Sequence, residues 1–475
     1  MGDRTGALAF FNNAVAAHNN KEDPKNAQVA YQFFVSAVTA DPTFAVGWYY
    51  LAAMNSDLGL PFGAIACYRR FLELPLEDGQ EPQLPFDRQP GGRTRDLTDK
   101  ALVTLGQKLH SIGKNDEALE VLERAVFDDP KHAAAYVSLS QVHGEEQDTK
   151  KALWCAQKAY ELEDNPVNEM AYAFALLFDR QFMKGLAHFE ARFPYRFTEF
   201  LHMPYPKWRG ESGKVLWLVA DQGLGDTLSY ARFVERAAER CTMVHIICQA
   251  ELLRLFSICF GHLKNIRVAP LNTPRPHADY WTTFVSLPWA MGLSNNEYIG
   301  QSGIKIPPFN APSHWKATDR LLHVGIAWSG SPFNDINPHR SIPIAHFIEL
   351  AQVPGVQLYS LQADDASQQI YEHGAGPIVR DLKPWIREIS DTLAILRDLD
   401  LVITCESAMG HIAGAAGIET WVPYSWRGRD YRIGPSSMNG SLWYPKHMIF
   451  QQGREARWEP VFDRIRAALE DKIKC

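Results

Sequence analysis

The sequence predicts an α + α/β protein, in which a helical repeat array is followed by two α/β domains. The first observation is a 34-residue spacing between small residues within residues 1–200. The second is that short apolar runs alternate with helical patterns after residue 200, which indicates parallel sheets. The third is that polar clusters follow those apolar runs, where open parallel sheets bind ligands. We expect three domains, at 1–200, 201–310 and 311–475.

The helical array is indicated by four alanines that lie in two pairs, each pair 34 residues apart: Ala30 and Ala64, then Ala118 and Ala152. Turn residues follow near Asp41-Pro42, Pro75 and Asp129-Pro130. This is the period of tetratricopeptide repeats, in which small residues lie where two helices cross and proline ends the second helix. A weaker copy at 169–193 is expected to cap the array.

An insertion interrupts the repeats. Ala64 and Ala118 are 54 residues apart, and the extra residues at 77–95 are rich in proline and glycine. We expect a loop there, either a surface excursion or a contact for a substrate or partner. The concave face of such an array can hold an extended peptide or pack against the next domain.

The first α/β domain opens with an apolar strand at 215–220, a glycine loop and a helix. The loop residues of interest are Gln222, Gly223, Leu224, Gly225, Asp226 and Thr227. Asp226 is either a helix cap or a catalytic group. Leu228 stands where the dinucleotide fingerprint has its third glycine, so the loop is weak support for NAD binding. Further strands are expected at 243–248, 265–269 and 279–287, with a helix at 251–260.

The second α/β domain is predicted from strands at 322–328, 356–361, 400–404 and 419–423. Helices are expected at 344–352, 391–398 and 412–417. Polar clusters at 329–340, at Gln362 and at 406–411 should converge at the carboxyl edge of the sheet. The small residues at 413–416 would let the last helix lie close to the sheet with its amino end towards a pyrophosphate.

Two Rossmann-like domains that face each other across a cleft are the layout of GT-B glycosyltransferases. The chain resembles bacterial tetratricopeptide-containing glycosyltransferases whose catalytic half is similar to the heptosyltransferase family. The matching motifs are PYPKWRG (204–210), DQGLGDTLSYARF (221–233), VGIAWSGSP (324–332), HRSIPI (339–344), DLVITCESAMGHIAGAAG (400–417) and LWYPKHMIF (442–450). The O-GlcNAc transferases share this plan, but the context of their catalytic histidine is not found here.

This resemblance implies an inverting transfer in which Asp226 is the general base. It implies that the donor nucleotide-sugar is held by the polar residues of the second α/β domain, namely Trp328, Ser329, Arg340, Gln362, Glu406, Ser407, Met409, Gly410 and His411. Arg340 fits a bidentate anchor for the diphosphate, with a surface ion pair as the alternative. His411 either helps to bind the diphosphate or is a capping or core histidine. Glu406 replaces the aspartate of the family motif, so sugar preference is expected to differ.

Composition and charge indicate the cellular compartment and the kind of partner to expect. The net charge of −7 and a pI of about 6.2 argue against a protein built mainly to bind nucleic acid. No apolar stretch reaches the roughly 18 residues that span a membrane, no signal peptide is seen, and the seven scattered cysteines lack a Cys-x-x-Cys pair. We expect a cytoplasmic protein with a protein or peptide acceptor and with neither cofactor nor metal, since no Asp-x-Asp motif stands out.

Two other functions stay open at this point. In one, the α/β half has lost catalysis and the chain is a protein-binding scaffold. In the other, the acceptor is a modified nucleic acid held in a basic groove formed by Arg427, Arg429, Arg432 and Lys446.

Overall fold

A computed structural model describes residues 2–20, 25–76, 94–271, 277–299, 316, 321–331, 337–428, 430–433 and 439–474. The chain forms two compact units, Met1–Ala175 and Leu176–Cys475. The predicted boundaries at 200 and 310 stay predictions. Most of the predicted insertion, 77–93, lies outside the described residues.

The first unit is built from helices that pack in consecutive pairs. Their bounds are α1 Arg4–Asn19, α2 Lys25–Ala40, α3 Ala45–Asp57, α4 Pro61–Glu73, α5 Thr94–Ser111, α6 Asn115–Asp128, α7 Ala133–Glu145 and α8 Thr149–Leu162. The pairs α1–α2, α3–α4, α5–α6 and α7–α8 make the largest contacts. This arrangement confirms the predicted helical array of tetratricopeptide type.

The small residues lie buried at helix contacts, as the repeat pattern predicts. The four marker alanines are each at most 2% exposed. Between α5 and α6 the approach is so close that a Cβ on Gly106 would be 2.5 Å from Leu122 Cγ. Helices α2 and α6 end just before Asp41-Pro42 and Asp129-Pro130, since proline cannot continue a helix.

The second unit begins with a segment that covers its first sheet. It contains the end of α9 Pro166–Phe178, then α10 Phe182–His188, α11 Arg192–Tyr195 and the 3₁₀ turn Thr198–His202. Phe193, Phe197 and Phe200 pack against Trp217 and Trp281 of the sheet. This burial explains why residues before 200 belong to the compact α/β unit.

The first sheet is parallel, with strand order β3-β2-β1-β4 among the described residues. Its elements are β1 Val215–Val219, α12 Leu224–Tyr230, α13 Val234–Arg240, β2 Met243–Cys248, α14 Ala250–Cys259, β3 Ile266–Pro270, β4 Tyr280–Thr283, α15 Leu287–Ala290 and α16 Asn295–Ile299. The strand predicted at 279–287 is too long. Pro288 lies in the first turn of α15, so this proline starts a helix instead of ending a strand.

The second sheet is also parallel, with order β10-β9-β8-β5-β6-β7 in the described part of the chain. Its elements are β5 Leu322–Ala327, α17 Asn337–Arg340, α18 Ile344–Glu349, β6 Val356–Ser360, α19 Gln369–Glu372, β7 Val379–Asp381, α20 Ile389–Arg397, β8 Leu401–Thr404, α21 Ala408–Ala415, β9 Thr420–Tyr424, β10 His447–Gln451 and α22 Glu459–Lys474. This is the strand order of dinucleotide-binding doubly wound sheets.

In the second sheet, two strands were not predicted, and helix α21 begins earlier than expected. β7 has only three residues and β10 begins with a histidine, so neither showed as an apolar run. The helix predicted at 412–417 is α21, which begins at Ala408 directly after Ser407. It ends before Gly417, whose φ of +68° suits glycine at the end of a helix.

Neither a membrane-spanning helix nor an exposed cysteine is found in the described residues. No described helix is both long and apolar enough to cross a bilayer. Cys67, Cys155, Cys241, Cys248, Cys259 and Cys405 are free and buried. Burial raises the pKa of each of these thiols, to about 11 or 12.

Candidate functional site

The crevice between β5 and β8 is the point where the strand order of the second sheet reverses. In open parallel sheets a ligand binds outside the carboxyl ends of the two strands at this point. Trp328–Gly330 follow β5, and Cys405–Ser407 follow β8. The residues predicted to bind the nucleotide-sugar therefore lie close to this point, and we call this region the β5–β8 crevice.

Gln362 holds the loop after β5 in place. Its Oε1 atom accepts hydrogen bonds from the backbone N–H groups of Trp328 and Ser329, both at 3.1 Å. Its Nε2 atom donates to the Ser329 carbonyl at 3.1 Å and to Asp364 Oδ1 at 2.8 Å. All four hydrogen-bonding positions of the amide are thus used within the chain. Gln362 therefore shapes the crevice, and its side-chain amide has no hydrogen-bonding position left for a nucleotide-sugar; its role in donor binding stays a prediction.

Trp328 is also a structural residue. The side chain is 1% exposed and belongs to the core of the second sheet, and its indole N–H donates to Gln369 Oε1 at 3.0 Å. The indole is thus buried and its N–H group is already hydrogen-bonded, and the role of Trp328 in binding the nucleotide-sugar stays a prediction. Ser329 is half-buried, and its hydroxyl lies 3.2 Å from the Ser341 hydroxyl.

Arg340 and Glu406 are the two charged residues with unused hydrogen-bonding atoms at the crevice. Arg340 Nε and Glu406 Oε2 are buried and have no hydrogen-bond partner within the described chain. Burial and the nearby Asp430 carboxylate raise the pKa of Glu406 to about 7, while Arg340 and Arg432 act in the opposite direction. A cation and a titratable acid therefore border the same crevice.

The start of α21 contributes the remaining predicted residues of the motif. Ser407 occupies the N-cap position, and its hydroxyl lies 3.2 Å from the Thr404 hydroxyl. Met409 is half-buried and Gly410 is buried. A Cβ on Gly410 would lie 3.7 Å from the methyl group of Thr404, which is ordinary contact, so close packing does not demand glycine there.

His411 is neutral and belongs to a buried network. Burial and the neighbouring Arg432 lower its pKa to about 3. Arg432 Nη2 lies 3.4 Å from Nε2, so that nitrogen is the acceptor and the proton lies on Nδ1, which can donate to the Tyr444 hydroxyl at 3.1 Å. Of the two interpretations of His411, the core histidine fits this environment and a cationic diphosphate ligand does not.

The glycine loop places Asp226 inside the first turn of α12. Gly223 takes the N-cap position, so Asp226 is not the cap that one interpretation proposed. Its Oδ1 atom accepts a hydrogen bond from Arg432 Nη1 at 2.9 Å. The other loop residues are anchored by Gln249, whose amide donates to the Gln222 carbonyl at 2.7 Å and to Thr227 Oγ1 at 3.3 Å.

Arg432 joins the two sheets through carboxylates and was missed as a site residue. Besides Asp226, it donates through Nε to both oxygens of Asp430, at 2.8 and 3.0 Å, and through Nη1 to Ser229 Oγ at 2.8 Å. The side chain is 8% exposed. This corrects the proposed basic groove, because Arg432 is buried among acids and unavailable to a nucleic acid. Arg429 lies outside the described residues.

Gly225 allows α12 and α21 to touch. A Cβ at Gly225 would be 2.6 Å from His411 Cδ2 and 3.5 Å from Ala408 Cα. Gly225 thus lets Leu224, Gly225 and Asp226 approach the helix that begins at the β5–β8 crevice.

The corresponding point of the first sheet, between β1 and β4, is filled by a second buried network. Arg192 is 1% exposed and donates to Asp221 Oδ2, Glu190 Oε1, Thr283 Oγ1 and Ser286 Oγ, all at 2.8 Å. No local sequence pattern marks this cluster, because its members are up to 96 residues apart. It occupies the place where this sheet would otherwise bind a ligand.

No group of three or more His, Cys, Asp or Glu residues suited to a metal ion occurs among the residues that the structure describes. Metal independence stays a prediction.

Gly225→Ala tests the contact between α12 and α21. The added methyl group would lie 2.6 Å from the His411 ring, and we expect a loss of stability of about 1–3 kcal/mol. Gly223→Ala is the matched control, since its nearest neighbour would be 3.9 Å away. The measurement is the urea midpoint by tryptophan fluorescence, and equal midpoints for the two variants would contradict the close contact.

Arg192→Met tests the network in the first sheet. It leaves Asp221 and Glu190 buried without their cation, so unfolding should become easier by about 3–5 kcal/mol. Arg196→Met at an exposed position is the control and should change stability by less than about 0.5 kcal/mol. A small effect of Arg192→Met would mean that the cluster does not depend on the guanidinium.

Glu406→Gln tests the raised pKa of Glu406. The folded protein holds this proton up to about pH 7, whereas the ordinary value is 4.5. Glu406 therefore stabilises the fold fully below pH 4.5, and that contribution is lost as the pH rises through 7. Between pH 5 and pH 8, wild type should lose on the order of 1–3 kcal/mol relative to Glu406→Gln in urea unfolding. Parallel pH curves would show that the pKa is not raised.

No protein-family model matches the chain. In sequence, the chain is similar to Protein FlbA of Caulobacter vibrioides (strain ATCC 19089 / CIP 103742 / CB 15), with 23% identity over 408 residues. The match covers 78% of this chain and 66% of FlbA, so the chain spans slightly less than two thirds of that relative.

Solved structures are similar to part of the chain, and two of them serve as examples. MamA from Desulfovibrio magneticus RS-1 shares 18% identity, with coverage of 42% of this chain and 98% of MamA and a TM-score of 0.33. YrrB, described as a TPR protein with an unusual peptide-binding site, shares 15% identity, with coverage of 42% and 91% and a TM-score of 0.32. At these scores, the fold and the candidate site rest on the helices, sheets and contacts of this chain itself.

Proposed function

We propose that the chain is an inverting glycosyltransferase that moves a sugar from a nucleotide-sugar to a protein recruited by the helical array. The observation that carries this proposal is the β5–β8 crevice, where Arg340 Nε and Glu406 Oε2 are buried without partners in the described chain. Buried polar atoms without partners are unfavourable unless a ligand satisfies them. A diphosphate offers oxygens to a guanidinium, and a sugar offers hydroxyl groups to a carboxylate.

The proposed reaction uses Asp226 as the base. The acceptor hydroxyl oxygen forms a bond to the anomeric carbon, while the bond from that carbon to the phosphate oxygen breaks. The hydroxyl proton passes to Asp226, and the nucleoside diphosphate leaves with the electron pair of the broken bond. Arg340 neutralises the charge that develops on the leaving group.

Arg432 suits this chemistry because it has two carboxylate partners. It orients Asp226 before the reaction through a hydrogen bond of 2.9 Å. When Asp226 takes up the proton, Arg432 still has its two hydrogen bonds to Asp430. The buried guanidinium is therefore never left without a counter-charge, which would be strongly destabilising.

The helical array is the proposed protein-binding part. Stacked helix pairs form a surface suited to extended peptides. On this surface lies a cavity of about 210 Å³ whose walls include Phe34, Tyr49, Tyr50 and Met54, with Asp57 and Lys100 beside them. Apolar walls with a few charged groups suit a peptide side chain.

A protein-binding scaffold is the second candidate. This candidate is favoured because Gln362 and Trp328 form hydrogen bonds within the chain and His411 is neutral. Fewer groups are therefore left to bind a nucleotide-sugar than the resemblance implies. The two functions differ in one measurable property, since a scaffold without catalysis need not bind any nucleotide-sugar.

Calorimetry with a panel of nucleotide-sugars, combined with mass spectrometry of candidate acceptors, tests the proposal on a pair of variants. Arg340→Ala should weaken donor binding by about 10- to 100-fold, because it removes charged hydrogen bonds. Asp226→Asn should leave donor affinity nearly unchanged and reduce transfer by at least about 100-fold. Transfer should persist with a chelator present.

Thermal melting of both variants controls for folding. If no donor of the panel binds to the wild type, the scaffold is favoured. Unchanged turnover of Asp226→Asn would refute the role of Asp226 as the base. Unaltered affinity of Arg340→Ala for the nucleotide-sugar would refute the role of Arg340 as the diphosphate anchor.

A further inference from the structure

A cavity of about 320 Å³ lies between the first sheet and the segment that covers it. Its walls are largely apolar, formed by Trp217, Val219 and Ile247 of the sheet and by Phe197, Phe200 and Met203 of the covering segment. Trp217 and Val219 are two residues apart on β1, and Val219 pairs with Ile247, so these side chains share one face. The volume lies in the range of ligand pockets.

Polar side chains line this cavity beyond the carboxyl ends of β1 and β2, and Glu199 of the covering segment lines it as well. Three of the lining residues there have buried atoms without a hydrogen-bond partner in the described chain: Asp221 Oδ1, Gln222 Nε2 and Gln249 Oε1. Asp221 is 7% exposed, and its other oxygen accepts from Arg192 Nε at 2.8 Å. Two hydrogen-bond acceptor atoms and one hydrogen-bond donor atom are therefore available to a ligand at this end of the cavity.

These features select one kind of occupant. Two of these three atoms are acceptors, Glu199 adds a carboxylate to the lining, and no cationic side chain is among the lining residues, so a phosphate or carboxylate is disfavoured. A sugar ring carries hydroxyl groups on all sides, and apolar walls would leave most of them unpaired. An aromatic side chain with a hydrogen-bond donor at its tip matches apolar walls and a polar end.

We propose that this cavity anchors a tyrosine or tryptophan side chain of the acceptor protein, with the O–H or N–H group donating to Asp221 Oδ1. That the occupant belongs to an acceptor rests on the proposed function. Gln222 connects the two sites, because it lines the cavity and lies in the loop that leads to Asp226. The cavity would thus position a neighbouring residue of the acceptor at the proposed base.

The test is direct binding of N-acetyl-L-tyrosinamide to the full chain, by saturation-transfer NMR and calorimetry. N-acetyl-L-phenylalaninamide lacks only the hydroxyl donor and should bind about fivefold more weakly, the equivalent of one hydrogen bond. Methyl α-D-glucoside represents the alternative occupant. Equal binding of the two amides, or preferential binding of the glucoside, would overturn the assignment.

Met203→Trp narrows the cavity from the covering segment and should abolish binding of the tyrosine probe. Met448→Trp, at a site 42% exposed on β10, is the matched control and should bind as wild type does. Unchanged binding by Met203→Trp would place the probe elsewhere and refute the proposal. Calorimetry with the nucleotide-sugar panel on the same samples separates the two proposals. If a nucleotide-sugar binds but the tyrosine probe does not, only the anchoring role of this cavity is refuted. If the probe binds but no nucleotide-sugar does, only the proposed transferase function is refuted.

Discussion

The α/β half of this chain depends on one buried guanidinium, that of Arg432. It contacts Asp226 from the helix after β1 and Asp430 from the segment after β9, and so joins residues that belong to different sheets. A buried guanidinium without a counter-charge would be strongly destabilising, so this position requires at least one of the two carboxylates. The contact fixes the loop with Asp226 beside α21, and α21 begins at the β5–β8 crevice. The proposed base and the proposed donor site are brought together by the same interaction.

The two sheets differ at equivalent points, and this difference decides which of them is available to an anionic ligand. In the first sheet, Arg192 fills the crevice and satisfies its neighbours with hydrogen bonds of 2.8 Å. In the second sheet, Arg340 and Glu406 retain buried atoms without partners among the described residues. An anionic ligand would gain little at the first point, where the unpartnered Asp221 Oδ1 is an acceptor, and more at the second, where Arg340 Nε is an unpartnered donor.

Periodicity and composition predicted the layers of the fold, since apolar runs and 34-residue spacing are local properties. The longer strands were found, whereas β7 and β10 were missed because they are short or begin with a polar residue. The residues of the candidate site were predicted by motif, but their partners were not. Arg432 and Asp226 are 206 residues apart, and nothing local marks them as a pair. Gln362 looked like a ligand because polar residues at strand ends often are, and only three-dimensional contacts show that its amide is fully used.

The reactivity of the buried cysteines can report local unfolding of the chain. A thiol attacks reagents as the thiolate, and burial raises the pKa of these groups to about 11 or 12, so the native protein is chemically inert at these positions. Cys67 and Cys155 lie in the helical array, Cys241, Cys248 and Cys259 around the first sheet, and Cys405 at the β5–β8 crevice. Alkylation of each cysteine therefore follows the transient exposure of its own region, and mapping the modified residues resolves which part of the chain opens first.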